Sequence, residues 1–210
     1  MNNTKLIAIT KPVDGLPTNE GFVEYCARVS NPDNQLKTMK TGKLINYLID
    51  HEHWSPFEMM HAVFEINTTR DIATQILRHR SFSFQQFSLR YSKGTGFTLR
   101  DTRIQASKNR QSSVINQSIV RHVIFKYSQL LAISLSSLLY KLNLLSGVAR
   151  EQARCILPMG NTNTRLYMSG SIRSWIHYVE LRSQQDTQAE HRQIALEIGE
   201  TLRQYFPNCF

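Results

Sequence analysis

Apolar residues recur along this chain at a spacing that switches between two and about three and a half, and each switch marks a passage between strand and helix. Lys5 to Thr10 alternates as a short strand, closed by Pro12 and the Asp14-Gly15 turn signal. Thr18 or Asn19 is placed to cap a helix carrying Phe22, Tyr25 and Cys26 on one side. It should stop before Asn31-Pro32, because proline pushes the preceding residue out of the helical region. A second helix is predicted from about Gln35 to Ile49, with Leu44, Ile45, Leu48 and Ile49 inward. After a polar loop at Ser55-Pro56, Ala62, Phe64 and Ile66 alternate with Val63, Glu65 and Asn67 as in a half-buried strand.

Thr68 or Thr69 ahead of Asp71 marks the next helix start, a hydroxyl to cap a backbone N–H and a carboxylate to suit the helix dipole. Ile72, Ala73, Ile76 and Leu77 cover one side, while Gln75 and Arg78 are neighbours on the other. Continuing the helix would swing His79 and Arg80 onto its apolar flanks, so it is expected to fray there. Phe82 and Phe84 then set one alternation and Phe87, Leu89 and Tyr91 the opposite one, which demands a turn or bulge around Gln85-Gln86. Past that slip, Gln86, Ser88 and Arg90 share a polar face suited to a ligand. Lys93 to Asn116, with Gly94 and Gly96, reads as a long polar excursion. Helical patterns follow at 119–145, 148–157, 171–182 and 188–205, with an extended segment at 162–168. No repeat or linker divides the chain, so a single domain over residues 1–210 is expected.

With 41% hydrophobic and 20% charged residues the chain is of ordinary globular composition, and its formal net charge of +9 calls for an anionic partner. Cys26, Cys155 and Cys209 form no CxxC pair and no even set, which favours a reduced, intracellular setting. Leu130 to Leu145 is the most apolar stretch, but its serines, Lys141 and Asn143 favour a buried helix over a membrane span, and a soluble cytoplasmic protein is expected. Neither GxxxxGK[ST] nor GxGxxG occurs, and Gly94-Thr95-Gly96 reads as a turn. His51, His53 and His61 lack metal-ligand spacing, so no metal is expected. Cys155, in an apolar run, is expected to be a small buried hydrophobe rather than a nucleophile.

The cations concentrate at Arg78-His79-Arg80, followed after seven residues by Ser88 and then by Arg90-Tyr91. Around this stand Ser55-Pro56-Phe57-Glu58, Gln75, Ala27-Arg28-Val29-Ser30, Glu151-x-x-Arg154 with Leu157-Pro158, and an Arg182 that ends a helix before Gln188-x-Glu190. In this order and spacing the chain resembles the flavin-dependent thymidylate synthases and their RHRx7S signature. The resemblance implies an α/β (α+β) fold, a twisted, mainly antiparallel sheet flanked by helices, assembled as a homotetramer with active sites between subunits. It implies conversion of dUMP to dTMP, with methylenetetrahydrofolate as carbon donor and NADPH-reduced FAD as hydride donor. No enzyme cysteine attacks the pyrimidine in that family.

By the same resemblance Ser55, Arg78, His79, Arg80, Gln86, Ser171, Arg173 and His177 hold FAD, and Gln75, Arg78, Gln86, Ser88, Leu89, Arg90, Arg154 and Arg182 surround dUMP. Many relatives carry glutamate where Gln86 aligns. Arg182 is the expected catalytic residue, polarising the pyrimidine for hydride delivery. The late helix is consistent with this: Ile172, Trp175, Ile176 and Val179 form its apolar stripe, with Arg173 and His177 on one side and Arg182 on the other flank. Trp54 and Phe57 suit either flavin stacking or the core. Two rival readings are a basic single-stranded nucleic-acid-binding module built on the aromatic stretch Arg78 to Tyr91, and a flavin-binding relative without methyl transfer.

Overall fold

The computed structural model describes residues 3–36, 42–92 and 96–210, and the turn expected at Gly94 lies outside the described residues. The strands are β1 (Asn3–Ile9), β2 (His61–Thr69), β3 (Ser83–Gln86), β4 (Arg103–Gln105), β5 (Ser113–Ile115) and β6 (Asn163–Ser171). The helices are α1 (Asn19–Ala27), α2 (Pro32–Gln35), α3 (Lys43–Asp50), α4 (Arg70–Ile76), α5 (Ile119–Leu145), α6 (Arg150–Ala153), α7 (Ile172–Arg182) and α8 (Ala189–Arg203). Four strands form an antiparallel sheet in the order β1-β2-β6-β3, and β4 pairs with β5 in a separate hairpin. The architecture is the helix-flanked antiparallel sheet that the family resemblance implies.

β2 and β6 occupy the centre because both alternate strictly. Phe64 pairs with Met168, Ile66 with Leu166 and Ala62 with Gly170, and the apolar side chains of these pairs are fully buried. The opposite face carries Glu65, Asn67, Arg165 and Tyr167. α4, α7 and α8 cover the apolar face. Trp175 of α7 anchors this layer, its ring 5.0 Å from that of Phe64 and 4.6 Å from that of Phe82, with its indole N–H donating to the Ala62 carbonyl at 3.2 Å. Full burial satisfies both parts of that side chain, the apolar body and the polar N–H.

Several expectations need correction. The predicted helix from Gln35 to Ile49 crosses residues 37–41, outside the described residues, and α3 begins only at Lys43 with Ile45 and Leu48 buried. On α1 the inward line is Glu20, Val23 and Glu24, while Phe22 stacks on Tyr25 at 6.1 Å. Glu20 tolerates burial because Asn208 donates to it from its backbone and its amide, at 2.6 and 2.7 Å. Among the described residues of the polar excursion, β4 and β5 pair as a hairpin that three-residue strands are too short to announce. The helix expected over 148–157 is α6 followed by a tight 3-10 turn at Arg154–Ile156, because Pro158 forces Leu157 into extended backbone. Finally, α5 is not buried: of its residues only Gln129 and Tyr140 are.

Gly170 marks the tightest approach in the sheet layer, where a Cβ would run into the Phe82 ring. Gly170→Ala is therefore expected to destabilise the fold by about 1–3 kcal/mol through overpacking. A lower urea midpoint at unchanged slope is the expected result, and an unchanged midpoint would show that the ring moves aside freely.

Candidate active site

Two strand ends launch the helices that carry most of the candidate residues. β2 passes into α4 at Thr69-Arg70, and β6 passes into α7 at Ser171-Ile172, with no residue between. Thr69 occupies the cap position of α4, but its hydroxyl does not cap the backbone: it donates to Asp71 Oδ1 and accepts from Arg100. Arg100, its side chain 13% exposed, reaches Asp71 at 2.7 Å and Glu190 at 3.1 Å and donates from Nε to the Gly160 carbonyl. It thus pins the starts of α4 and α8 to the loop before β6. Burial pushes the Glu190 carboxyl up, but the Arg100 charge and hydrogen bonds from its own backbone and Gln188 outweigh that and leave it below its ordinary value.

At the other end of α4 a second polar group assembles. Gln75 Nε2 donates to Gln188 Oε1 at 2.7 Å, and Gln75 Oε1 faces His191 Nδ1 at 3.3 Å. His191 Nε2 lies 3.1 Å from the Tyr178 hydroxyl. Burial, with the Arg182 and His79 charges adding to it, lowers the pKa of His191 to about 3. The ring is therefore neutral; since the Gln75 oxygen only accepts, Nδ1 carries the proton and Nε2 accepts from Tyr178.

His79 completes the group. α4 ends at Ile76, and the expected fray occurs, but only Arg78 and Arg80 turn outward. His79 instead folds against Tyr178 with ring centres 4.9 Å apart and accepts from Arg182 Nε at 2.9 Å. Burial first and the Arg182 charge second lower its pKa to about 4, which keeps the Nε2 lone pair free to accept. Arg182 is half-buried with its Nε engaged, so its two terminal nitrogens remain to meet a ligand.

The remaining candidates fall into two separate groups. Ser88 Oγ accepts from the Arg90 backbone at 3.3 Å, Leu89 is buried, and Arg90 pairs with Glu151 at 3.1 Å, across an exposed gap. Gln86 Nε2 donates to Thr164 Oγ1 at 3.2 Å. The common face expected of Gln86, Ser88 and Arg90 is split: a 370 Å³ cavity touches Gln86 and Ser88, and a 490 Å³ cavity touches Ser88 and Arg90. The strand ends at Gln86, so alternation no longer aligns Ser88 and Arg90 with it. Arg154 begins the turn after α6, where Nε donates to the Glu151 carbonyl, and its charge bears on half-buried Arg70.

In the third group Arg173 pairs with Glu58 at 2.8 Å, and His177 meets the Trp54 ring edge at 4.4 Å. Ser55, exposed, opens the 3-10 turn that holds Glu58. Ser171 is buried as the N-cap of α7, where its hydroxyl accepts from the Ser174 backbone. Hydrogen bonds from Ser171 and Arg173 hold the Glu58 carboxyl below its ordinary value. Phe57 is fully buried in the core, whereas Trp54 is only partly so. Cys155 is exposed, contrary to its expected burial, because the 3-10 turn rotates it outward.

Sequence reasoning missed His191 and Arg100. A signal for His191 exists: it sits on the buried stripe of α8 with Ile194, Ala195, Ile198 and Leu202, where an imidazole needs two partners. Arg100 has no local signal, since its partners lie 29 and more residues away.

Both histidines have folded pKa values, about 3 and about 4, below the ordinary 6.5. The unfolded chain therefore binds more protons than the folded one between those values and 6.5, so stability falls as pH drops through that window. His191→Gln, which cannot titrate there, is expected to flatten the fall. Urea midpoints measured from pH 7 to 4 check this, and an equally steep fall in the variant would show that His191 is already charged in the folded state.

Comparison with known proteins identifies relatives of the whole chain. Residues 11–208 match the family described as thymidylate synthase complementing protein. The flavin-dependent thymidylate synthase of Synechocystis sp. is 48% identical over 209 residues, covering 98% of this chain and 96% of the relative. A probable flavin-dependent thymidylate synthase of Paramecium bursaria Chlorella virus 1 is 43% identical, with the same coverage. The fold is similar to that of the UMP/dUMP methylase PolB from Streptomyces cacaoi, crystallised with 5-Br UMP, at a TM-score of 0.85 and 25% identity over 100% of this chain and 92% of that one. By sequence over almost its whole length, and by fold, this chain belongs to the flavin-dependent thymidylate synthase family.

Proposed function

We propose that this chain is a single-domain enzyme that methylates dUMP to dTMP, using methylenetetrahydrofolate, FAD and NADPH. The observation that carries the reading is Arg182 locked by a neutral His79 beside the exposed, unpaired Arg78 and Arg80. Among the described residues neither Arg78 nor Arg80 joins an ion pair, which suits them to an anion such as a pyrophosphate. Arg78 and Arg80 thus fit the pyrophosphate of FAD, and Ser55, His79, Gln86, Ser171, Arg173 and His177 are proposed as its further holders, Ser171 by positioning the start of α7 that its hydroxyl caps. Bound FAD, reduced by NADPH, supplies the hydride.

The chain's own groups handle charge and position. Arg182 presents its terminal nitrogens to the uracil edge and favours negative charge there, which polarises the C5–C6 bond. His79 fixes the plane of that guanidinium without competing for charge, because it is neutral. Gln75, held by Gln188 and His191, lies on the same side. Arg78, Ser88, Arg90 and Arg154 supply donors to phosphate and sugar, with Leu89 and Gln86 lining the nucleotide; Gln86 is neutral, so it contributes hydrogen bonds where many relatives place a charge.

In one chain these residues form three separate groups, and assembly as a homotetramer would complete each site from more than one subunit. α5 supports this. Val120, Ile124, Tyr127, Leu131, Leu135, Leu138, Leu142 and Leu145 recur every three or four residues, and each is 50% or more exposed. Such a stripe has the spacing by which helices pack on one another, and water leaves it uncovered only at a cost. By length and composition alone α5 is also long and apolar enough to cross a membrane. Arg121, Lys126 and Lys141 along its length favour packing in a soluble assembly over a membrane span, and a cytoplasmic location is proposed with it.

Three measurements test these readings. Purified protein with dUMP, methylenetetrahydrofolate, NADPH and FAD should form dTMP, and omitting any one should abolish it; a nucleic-acid absorbance without flavin would support the rival binding module. Arg182→Ala is expected to lower turnover by about 10²–10³-fold while flavin content is retained; loss of FAD with normal residual turnover would remove Arg182 from the reaction. Leu131→Glu with Leu138→Glu should convert a tetramer to smaller species in sedimentation and lower activity with it, and an unchanged sedimentation coefficient would clear α5 of that role.

A further inference from the structure

A 710 Å³ cavity lies between the β4–β5 hairpin, the first turns of α5 and the start of α8. Its floor is Arg100, already neutralised by Asp71 and Glu190. Around that floor stand Arg103, Arg110, Arg121 and Arg192, and among the described residues none of these four is in an ion pair. Asp101 is the one further carboxylate in the lining. Neutral acceptors orient two of the arginines: Arg103 donates from Nε to Ser113 Oγ at 2.8 Å and from Nη2 to the Ser113 carbonyl at 2.9 Å, and Arg192 donates to the Gln185 carbonyl at 3.2 Å. These bonds aim the guanidinium groups without discharging them.

The four arginines come from four places: β4, the hairpin loop, α5 and α8. Converging cations repel one another, and an anion in the cavity relieves that repulsion. The volume is that of a site for an extended ligand rather than a single phosphate. The cavity meets the proposed nucleotide site at Gln188, which lines it and accepts from Gln75 at 2.7 Å.

We propose that this cavity binds the multiply anionic appendage of a co-substrate, the glutamyl carboxylates of the folate donor or the phosphates of the nicotinamide reductant, while its reactive end lies toward Gln75. The inference rests on the synthase reading given above. The uracil end already has Arg182, and the nucleotide phosphate has the Ser88–Arg90 segment, so these four arginines are left for the other anionic reactants. A chain of carboxylates or phosphates is gripped by Arg110 and Arg121 at the exposed side and by Arg103 and Arg192 further in.

Arg110→Ala with Arg121→Ala, both exposed, tests it. Initial rates are measured with mono- and triglutamyl methylenetetrahydrofolate, and with NADPH and NADH, which differ by one phosphate. Calorimetry of mono- and triglutamyl folate gives Kd without turnover. In the double variant the KM for either the triglutamyl donor or NADPH should rise about tenfold, equivalent to losing one or two charge-assisted contacts. The less charged analogue, kcat and flavin content should stay unchanged; a shift confined to the glutamyl arm, repeated in Kd, assigns the donor, and one confined to NADPH assigns the reductant. An active wild-type protein whose double variant keeps all four KM values and both Kd values within twofold sinks this inference alone. An inactive wild-type protein sinks the synthase reading and the inference together.

Discussion

The pairing of β2 with β6 decides where the rest of the molecule can go. Each strand runs directly into a helix, and the antiparallel register sets His61 against Ser171 and Thr69 against Asn163, so α4 and α7 set out from opposite ends of one ladder. They lie on the same apolar face, and the end of α7 reaches the residues that follow α4. The hydrogen bond from Arg182 to His79 is a product of that geometry. A slip of β6 by one residue would turn Leu166 and Met168 away from Phe64 and Ile66 and break up the face on which both helices rest.

Two kinds of support hold the half-buried Arg100 and Arg182 in place. Near the loop before β6, Arg100 is neutralised by carboxylates and serves as a structural pin. Near Arg182 the supports are uncharged, a neutral imidazole and through it the Tyr178 and His191 pair. A carboxylate in place of His79 would have held Arg182 as firmly but cancelled its field. Burial keeps both histidines neutral, so the hydrophobic core acts directly on the electrostatics of the polar cluster.

Much of this is legible in the sequence where the pattern is local. The alternation of Ala62, Phe64 and Ile66, the apolar stripe of α7 and the fray after Ile76 are all consequences of side-chain spacing within a few residues. The illegible part is long-range. Nothing near Arg100 announces Asp71, Glu190 or Gly160, and a period-two reading of Gln86, Ser88 and Arg90 assumes a strand that in fact ends at Gln86. Thr69 does stand at a helix start, but a competing guanidinium takes its hydroxyl away from the backbone. The exposure of α5 is hidden from the sequence for a simpler reason: periodicity reports that a face is apolar, not whether the same chain covers it.

The order in which the chain is made gives that last feature a further meaning. β6 follows β2 by roughly a hundred residues, so the central ladder belongs to the slow class of contacts that close only late. α5 leaves the ribosome in between, when β6, α7 and α8 are still to come and the central ladder cannot close, and its leucines meet the solvent first. A nascent chain in that condition is a natural client for holding factors, and its yield in cells should be governed by how quickly that interval is crossed as much as by the stability of the finished fold.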